Sequence, residues 1–122
     1  MKLIIAGSRT LTDYSWMETK LNNVLANTTE DVTIISGGAK GADQLGERYA
    51  ETRGYNVIKM PADWATHGKK AGYLRNTEMA KECTHAIIFW DGESPGSKHM
   101  IDICKKLNIP NRVINITRKV TS

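Results

Sequence analysis

The residues with the richest chemistry form one run, Ser36-Gly37-Gly38-Ala39-Lys40-Gly41-Ala42-Asp43. Glycines at this density let a backbone approach a ligand closely and turn its N–H groups inward. A helix starting directly afterwards adds partial positive charge. Lys40 contributes a full charge. The run lacks the Gly-Lys-Ser/Thr ending of a P-loop and is not the GxGxxG dinucleotide fingerprint. It reads either as an anion site or as a tight strand-to-helix turn whose small residues serve packing. Gly7-Ser8-Arg9-Thr10 sets an arginine beside a glycine, suited to a bidentate grip on phosphate or to a surface ion pair. In Asp91-Gly92-Glu93-Ser94-Pro95-Gly96-Ser97, Asp91 can accept from ribose hydroxyls. Ser97 can hold an anion with nearby amides, cap the helix it opens, or do both. Pro61 to Asn76 is polar, basic and aromatic, and longer than most loops. Trp64 or Tyr73 can stack on a base and Arg75 can bind phosphate; alternatively, Trp64 packs a lid onto the core.

Other side chains point to less. His67, His85 and His99 lack metal-ligand spacing, so no metal or cofactor is expected. His85 reads as structural, and His99 as facing the pocket or solvent. No Ser-His-Asp or Cys-His spacing suggests a covalent nucleophile. Cys83 and Cys104 form no CxxC pair and both fall in helix-like segments, which suits reduced, packed thiols. The 122 residues suit one domain, 1–122, able to bury a core without disulfides or metals. With 40% hydrophobic and 25% charged residues, the chain has the make-up of a globular protein, not a disordered one. A net charge of +4, from 17 basic and 13 acidic residues, favours anionic partners without choosing nucleic acid over a nucleotide. The apolar opening, Met1 to Gly7, is too short for a signal peptide or a membrane span. The expected setting is the cytoplasm, without a membrane partner.

These loops need a scaffold, and the periodicity supplies one. Strands are predicted at Leu3 to Ala6, Val32 to Ile35, Tyr55 to Met60, Thr84 to Trp90 and Arg112 to Thr117. Helices are predicted from Asp13, as cap, to about Asn27, then Gly41 to Arg53, Tyr73 to Glu82, and onward from Ser97. The first carries the stripe Tyr14, Met17, Leu21, Val24 and Leu25; the second turns Ala42, Leu45 and Tyr49 inward. The last turns Met100, Ile103, Cys104 and Leu107 inward. Pro61 to Gly72 reads as a polar loop, and Arg118 to Ser122 as a frayed tail. Apolar strands alternating with helices give an α/β fold, a five-stranded, mostly parallel sheet with helices on both faces. Ligands of such sheets bind beyond the C-terminal strand ends, where strand order reverses.

The order of the motifs adds to this. Gly7-Ser8-Arg9, then Ser36 to Asp43, then Arg75-Asn76, then Ser94-Pro95-Gly96-Ser97 resembles the SLOG superfamily. That group includes the DNA-processing protein Smf/DprA and the LOG phosphoribohydrolases. The likeness is closest to small stand-alone YspA-like proteins of bacteria and phages, and runs from Ile5 to about Asp102. It implies a Rossmann-like three-layer sandwich and a pocket for a nucleotide, nucleotide sugar or ADP-ribose-like ligand. Gly7, Ser8, Arg9, Ser36, Gly37, Gly38, Lys40, Gly41, Asp43, Trp64, Arg75, Asn76, Asp91, Gly96 and Ser97 are the candidate ligand-binding residues. Arg75 and Asp91 are the candidate catalytic pair for an N-glycosidic hydrolase, the alternative activity. A LOG-type glutamate position falls on Met100, which cannot transfer a proton, and leaves Asp91, Glu93 and Asp43 as acidic candidates. A further alternative is a DprA-like module for single-stranded DNA. Relatives often associate, so a homo-oligomer is also among the expectations.

Overall fold

Side chains on a strand alternate between the two faces of its sheet, and β1 (Lys2–Gly7) uses both. Leu3 and Ile5 enter one core with Met17, Leu21, Ile34 and Tyr49, while Ile4 and Ala6 enter a second with Ile35, Met79, Ile88 and Met100. A strand buried on both faces explains the unbroken apolar run. The computed structural model describes residues 1–117; the tail from Arg118 to Ser122 lies outside the described residues.

The other strands are β2 (Thr33–Ser36), β3 (Asn56–Lys59), β4 (His85–Trp90) and β5 (Asn111–Asn115). They form one sheet of order β3-β2-β1-β4-β5 in which every pairing is parallel. Helices α1 (Tyr14–Val24) and α2 (Ala42–Arg53) cover the Leu3/Ile5 face, and α4 (Ala71–Glu82) and α5 (Pro95–Lys106) cover the other. Asp13 caps α1 by accepting from Trp16 N at 3.1 Å. Gly54, in the left-handed conformation, stops α2. Gly46 lets α2 press onto β1, since a Cβ there would lie 2.7 Å from Ile5 Cγ2.

Four expectations change. The segment from Pro61 to Gly72 is not all loop: α3 (Trp64–His67) and a 3₁₀ turn (Gly68–Lys70) precede α4, which starts at Ala71. Asp63 supports this short helix by accepting from Thr66 N at 3.2 Å, and α3 buries no side chain, so it leaves no apolar period to read. α5 opens at Pro95 with Ser94 as its N-cap residue, so Ser97 is not the cap but lies inside the first turn. Proline is preorganised for that first helical position. Leu107 lies just past α5 and is exposed, while Ile101 is buried instead. Cys83 sits in extended conformation at the end of α4, its thiol donating to Ala80 O at 3.3 Å. Both cysteines are free.

Leu21 is fully buried in the α1/α2 core, far in sequence from every loop singled out above. Leu21→Ala should lower the unfolding free energy by about 2–5 kcal/mol in urea denaturation. A loss well under 1 kcal/mol would contradict this packing.

Candidate functional site

Neighbouring strands β1 and β4 send the chain to opposite faces of the sheet, β1 into α1 and β4 into α5. The loops after them must part, and a crevice opens between them. Ser8, 1% exposed, holds its rim. Its N–H donates to Phe89 O at 2.8 Å, its Oγ accepts from Asp91 N at 3.1 Å, and it meets Ser94 Oγ at 3.1 Å. The start of α2 is pressed against the same loop. Gly41 (φ +80°) permits this, because a Cβ there would lie 2.6 Å from Arg9 Cα, and Ala42 N donates to Ser8 O at 3.2 Å.

The result is a cavity of about 410 Å³. Gly7, Ser8, Arg9, Asp43, Trp64, Arg75, Asn76, Gly96 and Ser97, all named from sequence, line it. Met79, Met100, Tyr73, Lys69 and Ser94 complete much of the wall. The two methionines are each 1% exposed; Met79 was not singled out from sequence, and Met100 was named as an inward residue of the last helix and as the LOG-type glutamate position. Trp64 and Tyr73 stand half exposed beside the cavity.

The remaining expectations need correction. Ser36, Gly37, Gly38, Lys40, Gly41 and Asp91 do not line the cavity. Two amides of the Ser36 to Asp43 run are spent within it: Gly38 N donates to Ser36 Oγ at 3.1 Å and Ala39 N to Asp43 Oδ2 at 3.2 Å. The Ser36 hydroxyl donates to Glu47 Oε2 at 2.6 Å, and Glu47 also pairs with Lys59 at 3.5 Å. Glu47 gave no sequence signal as a partner, because it lies a full helical turn inside α2. Gly37 packs under Arg75 and Asp43; a Cβ there would come within 2.8 Å of Asp43 Oδ2 and closer still to the guanidinium. Lys40 points into solvent.

Asp91 serves its own loop. Oδ1 accepts from Glu93 N and Ser94 N, both at 2.8 Å, and Oδ2 accepts from Ser94 Oγ at 3.1 Å. Those hydrogen bonds hold its carboxyl below the usual carboxylate range. An acceptor so occupied is a brace for the turn into α5, not a free catalytic group. Trp90 adds to the brace, Nε1 donating to Ser94 O at 3.1 Å. His99 lies behind the wall, 3.3 Å from Asn76 Nδ2 through Nδ1 and edge-on to Tyr73. Burial holds its ring below the ordinary histidine pKa.

Three groups do face the cavity with capacity to spare. Among the described residues Arg9 has no hydrogen bond or ion pair, and it is exposed. At the start of α5 no side chain caps the helix, and the N–H groups of Gly96 and Ser97 have no acceptor among the described residues. Ser97 is 6% exposed and its hydroxyl has no partner among the described residues, yet it is not sealed off from the cavity. Arg75 is less free: Nη1 donates to Gly37 O at 2.6 Å and Nε to Asn76 Oδ1 at 3.2 Å.

Asp43 is 6% exposed in the first turn of α2, and desolvation raises its pKa to about 6 against opposing contributions from the Ala39 hydrogen bond, Arg75 and Arg9. Among the described residues no helix is long and apolar enough to cross a membrane, and no three His, Cys, Asp or Glu side chains gather to hold a metal.

An all-parallel sheet of this strand order, with a glycine-lined cavity at its switch point, defines a Rossmann-like α/β protein. The chain belongs to the YspA, cpYpsA-related SLOG family, whose model matches residues 1–67. It is 35% identical over 124 residues to the Gene 61 protein of Mycobacterium phage D29, across 97% of this chain and 98% of that protein. Its fold is similar to that of DNA processing protein A from Helicobacter pylori, with a TM-score of 0.65 and 22% identity. The likeness covers 93% of this chain but only 64% of that one, a protein whose structure was described for its single-stranded DNA binding mode.

The burial of Asp43 has a thermodynamic consequence. Its folded pKa of about 6 exceeds the ordinary value of 3.8, so the native state holds the proton more tightly. Stability therefore falls as pH rises through the window between those values, by a limit of roughly 3 kcal/mol. Asp43→Asn, which keeps an acceptor for Ala39 N–H, should raise the urea midpoint at pH 7.5 and raise it only about a third as much at pH 4.5, where the folded carboxyl still holds its proton. Equal shifts at both pH values would show that burial of the charge is not the cause.

Proposed function

We propose that the chain binds a nucleotide or nucleotide-derived ligand, such as a nucleoside phosphate or an ADP-ribose-like molecule, in the cavity between the β1 and β4 loops. One observation carries this reading: Ser97, nine-tenths buried, keeps an unpartnered hydroxyl on the cavity beside two free amides at the start of α5. Hydroxyl, amides and helix dipole all favour an anionic oxygen there. Arg9, exposed on the same cavity and without a hydrogen bond or ion pair among the described residues, supplies a positive charge. The aromatic and apolar surfaces of Trp64, Tyr73, Met79 and Met100 suit a base. The volume is within the range of small-molecule sites. The ligand thus has an anionic end and a flat apolar end.

Calorimetric titration with ADP-ribose and with adenosine tests this directly. Arg9→Ala should weaken ADP-ribose binding about tenfold or more through loss of a charge-assisted contact, and should barely affect adenosine. Lys40→Ala should change neither, because Lys40 lies off the cavity. Equal losses from the two variants would make the effect one of general charge and sink the assignment.

A second reading, a single-stranded DNA-binding module, is favoured by the surface beside the cavity. Trp64, Tyr73 and Leu74 are exposed there within a few residues of Lys69 and Lys70. Aromatic faces interleaved with lysines suit unpaired bases and their phosphates. The fold likeness to the Helicobacter pylori protein adds to it. Fluorescence anisotropy with a labelled oligothymidylate should then show affinity falling steeply with salt, and further in Trp64→Ala. Saturable binding of ADP-ribose together with salt-insensitive, negligible oligonucleotide binding would remove this reading and leave the first.

A further inference from the structure

Asp43 stands out among the cavity residues because it is a carboxyl group in a place otherwise arranged for anions. Arg75 approaches it from α4, Arg9 from the loop after β1, and Glu47 from one turn further along α2. None of them pairs with it within 4.0 Å. Arg75 is drawn aside by Gly37 O and Asn76, and Glu47 is occupied by Ser36 and by Lys59 of β3. Lys69, from the 3₁₀ turn, lines the same cavity. Within the carboxyl group the two oxygens differ. Oδ2 accepts the Ala39 N–H, while Oδ1 takes no hydrogen bond from the described residues and is not sealed from the cavity.

We propose that Asp43 is the proton-carrying recognition group of this cavity: its neutral form donates a hydrogen bond from Oδ1 to an acceptor atom of the bound ligand, so that binding takes up a proton from solvent. The proposal rests on the reading of the cavity as a site for nucleotide-derived ligands and adds what that reading leaves open, the sign of its pH dependence. Because Oδ2 already receives a hydrogen from Ala39, the acidic proton belongs on Oδ1 and points where a ligand would sit. An ionised Asp43 would instead oppose the lone pairs of a phosphoryl or carbonyl oxygen across a short, poorly solvated gap. A carboxyl group whose pKa rests at about 6 without ligand is already partly protonated near neutrality, and an acceptor placed against Oδ1 raises it further.

ADP-ribose is the probe, because its diphosphate does not change charge between pH 5.5 and 8. Its affinity for the natural chain should fall about tenfold between pH 6 and pH 7.5, as expected where ionisation of one group abolishes binding. Titrations in two buffers of different ionisation enthalpy should report proton uptake. Asp43→Asn, whose amide also donates, should bind with little pH dependence and more tightly than the natural chain at pH 7.5. Three results would overturn the proposal: a pH profile shared by the variant, affinity that rises with pH, or no proton uptake by the natural chain. Absence of ADP-ribose binding at every pH would reject the ligand-site reading itself, which is a different failure from binding that ignores pH.

Discussion

The molecule depends on one topological constraint. β1 and β4 lie side by side and parallel, yet the chain leaves them for opposite faces of the sheet. No loop can fill the space where those exits part, and Ser8 joins their edges. Its single hydroxyl serves Asp91 N and Ser94 Oγ at once, and its N–H extends the β1–β4 ladder to Phe89. From that junction the start of α5 is set, then the Asp91 turn, and the cavity wall follows.

Around the junction polar groups divide into two kinds. Some are consumed in holding loops: Ser36 with Glu47, Arg75 with Gly37, and Asp91 with Ser94. Others have no protein partner among the described residues and stay open on the cavity, chiefly the Ser97 hydroxyl, the first amides of α5 and Oδ1 of Asp43. No buried side-chain polar atom among the described residues lacks a partner, so these groups are open to water, and their convergence on one cavity is what the proposed ligand site rests on. Arg75 links the two kinds. It lines the cavity while its hydrogen bonds hold the β2–α2 loop, and Gly37 lacks a side chain where that guanidinium passes.

Against this rigid floor, the segment from α3 to the 3₁₀ turn has a different character. It buries no side chain, and its tryptophan lies along Gly72 with much of the ring in solvent. The sheet and its two apolar layers supply the stability, and this outer flap supplies surface chemistry. Division of labour of that kind is common where binding groups sit on loops carried by a packed scaffold.

The apolar run Leu3 to Ala6, the β-branched second strand and the amphipathic stripes of α1 and α5 determined the parallel α/β architecture, because apolar period is a property of the chain itself. Glycine-rich motifs in a fixed order likewise marked the end of the sheet where the cavity lies. The sequence could not assign the loop amides, since a hydrogen-bond donor is available only if nothing else in the fold uses it. Gly38, Ala39 and Asp91 looked free and are spent internally, whereas Gly96 and Ser97 keep their capacity because Pro95 starts the helix without a cap. Met79 and Met100 entered the cavity wall, and α3 formed from a segment without apolar period, through packing between residues distant in sequence or through a local cap that hydrophobic patterning does not record.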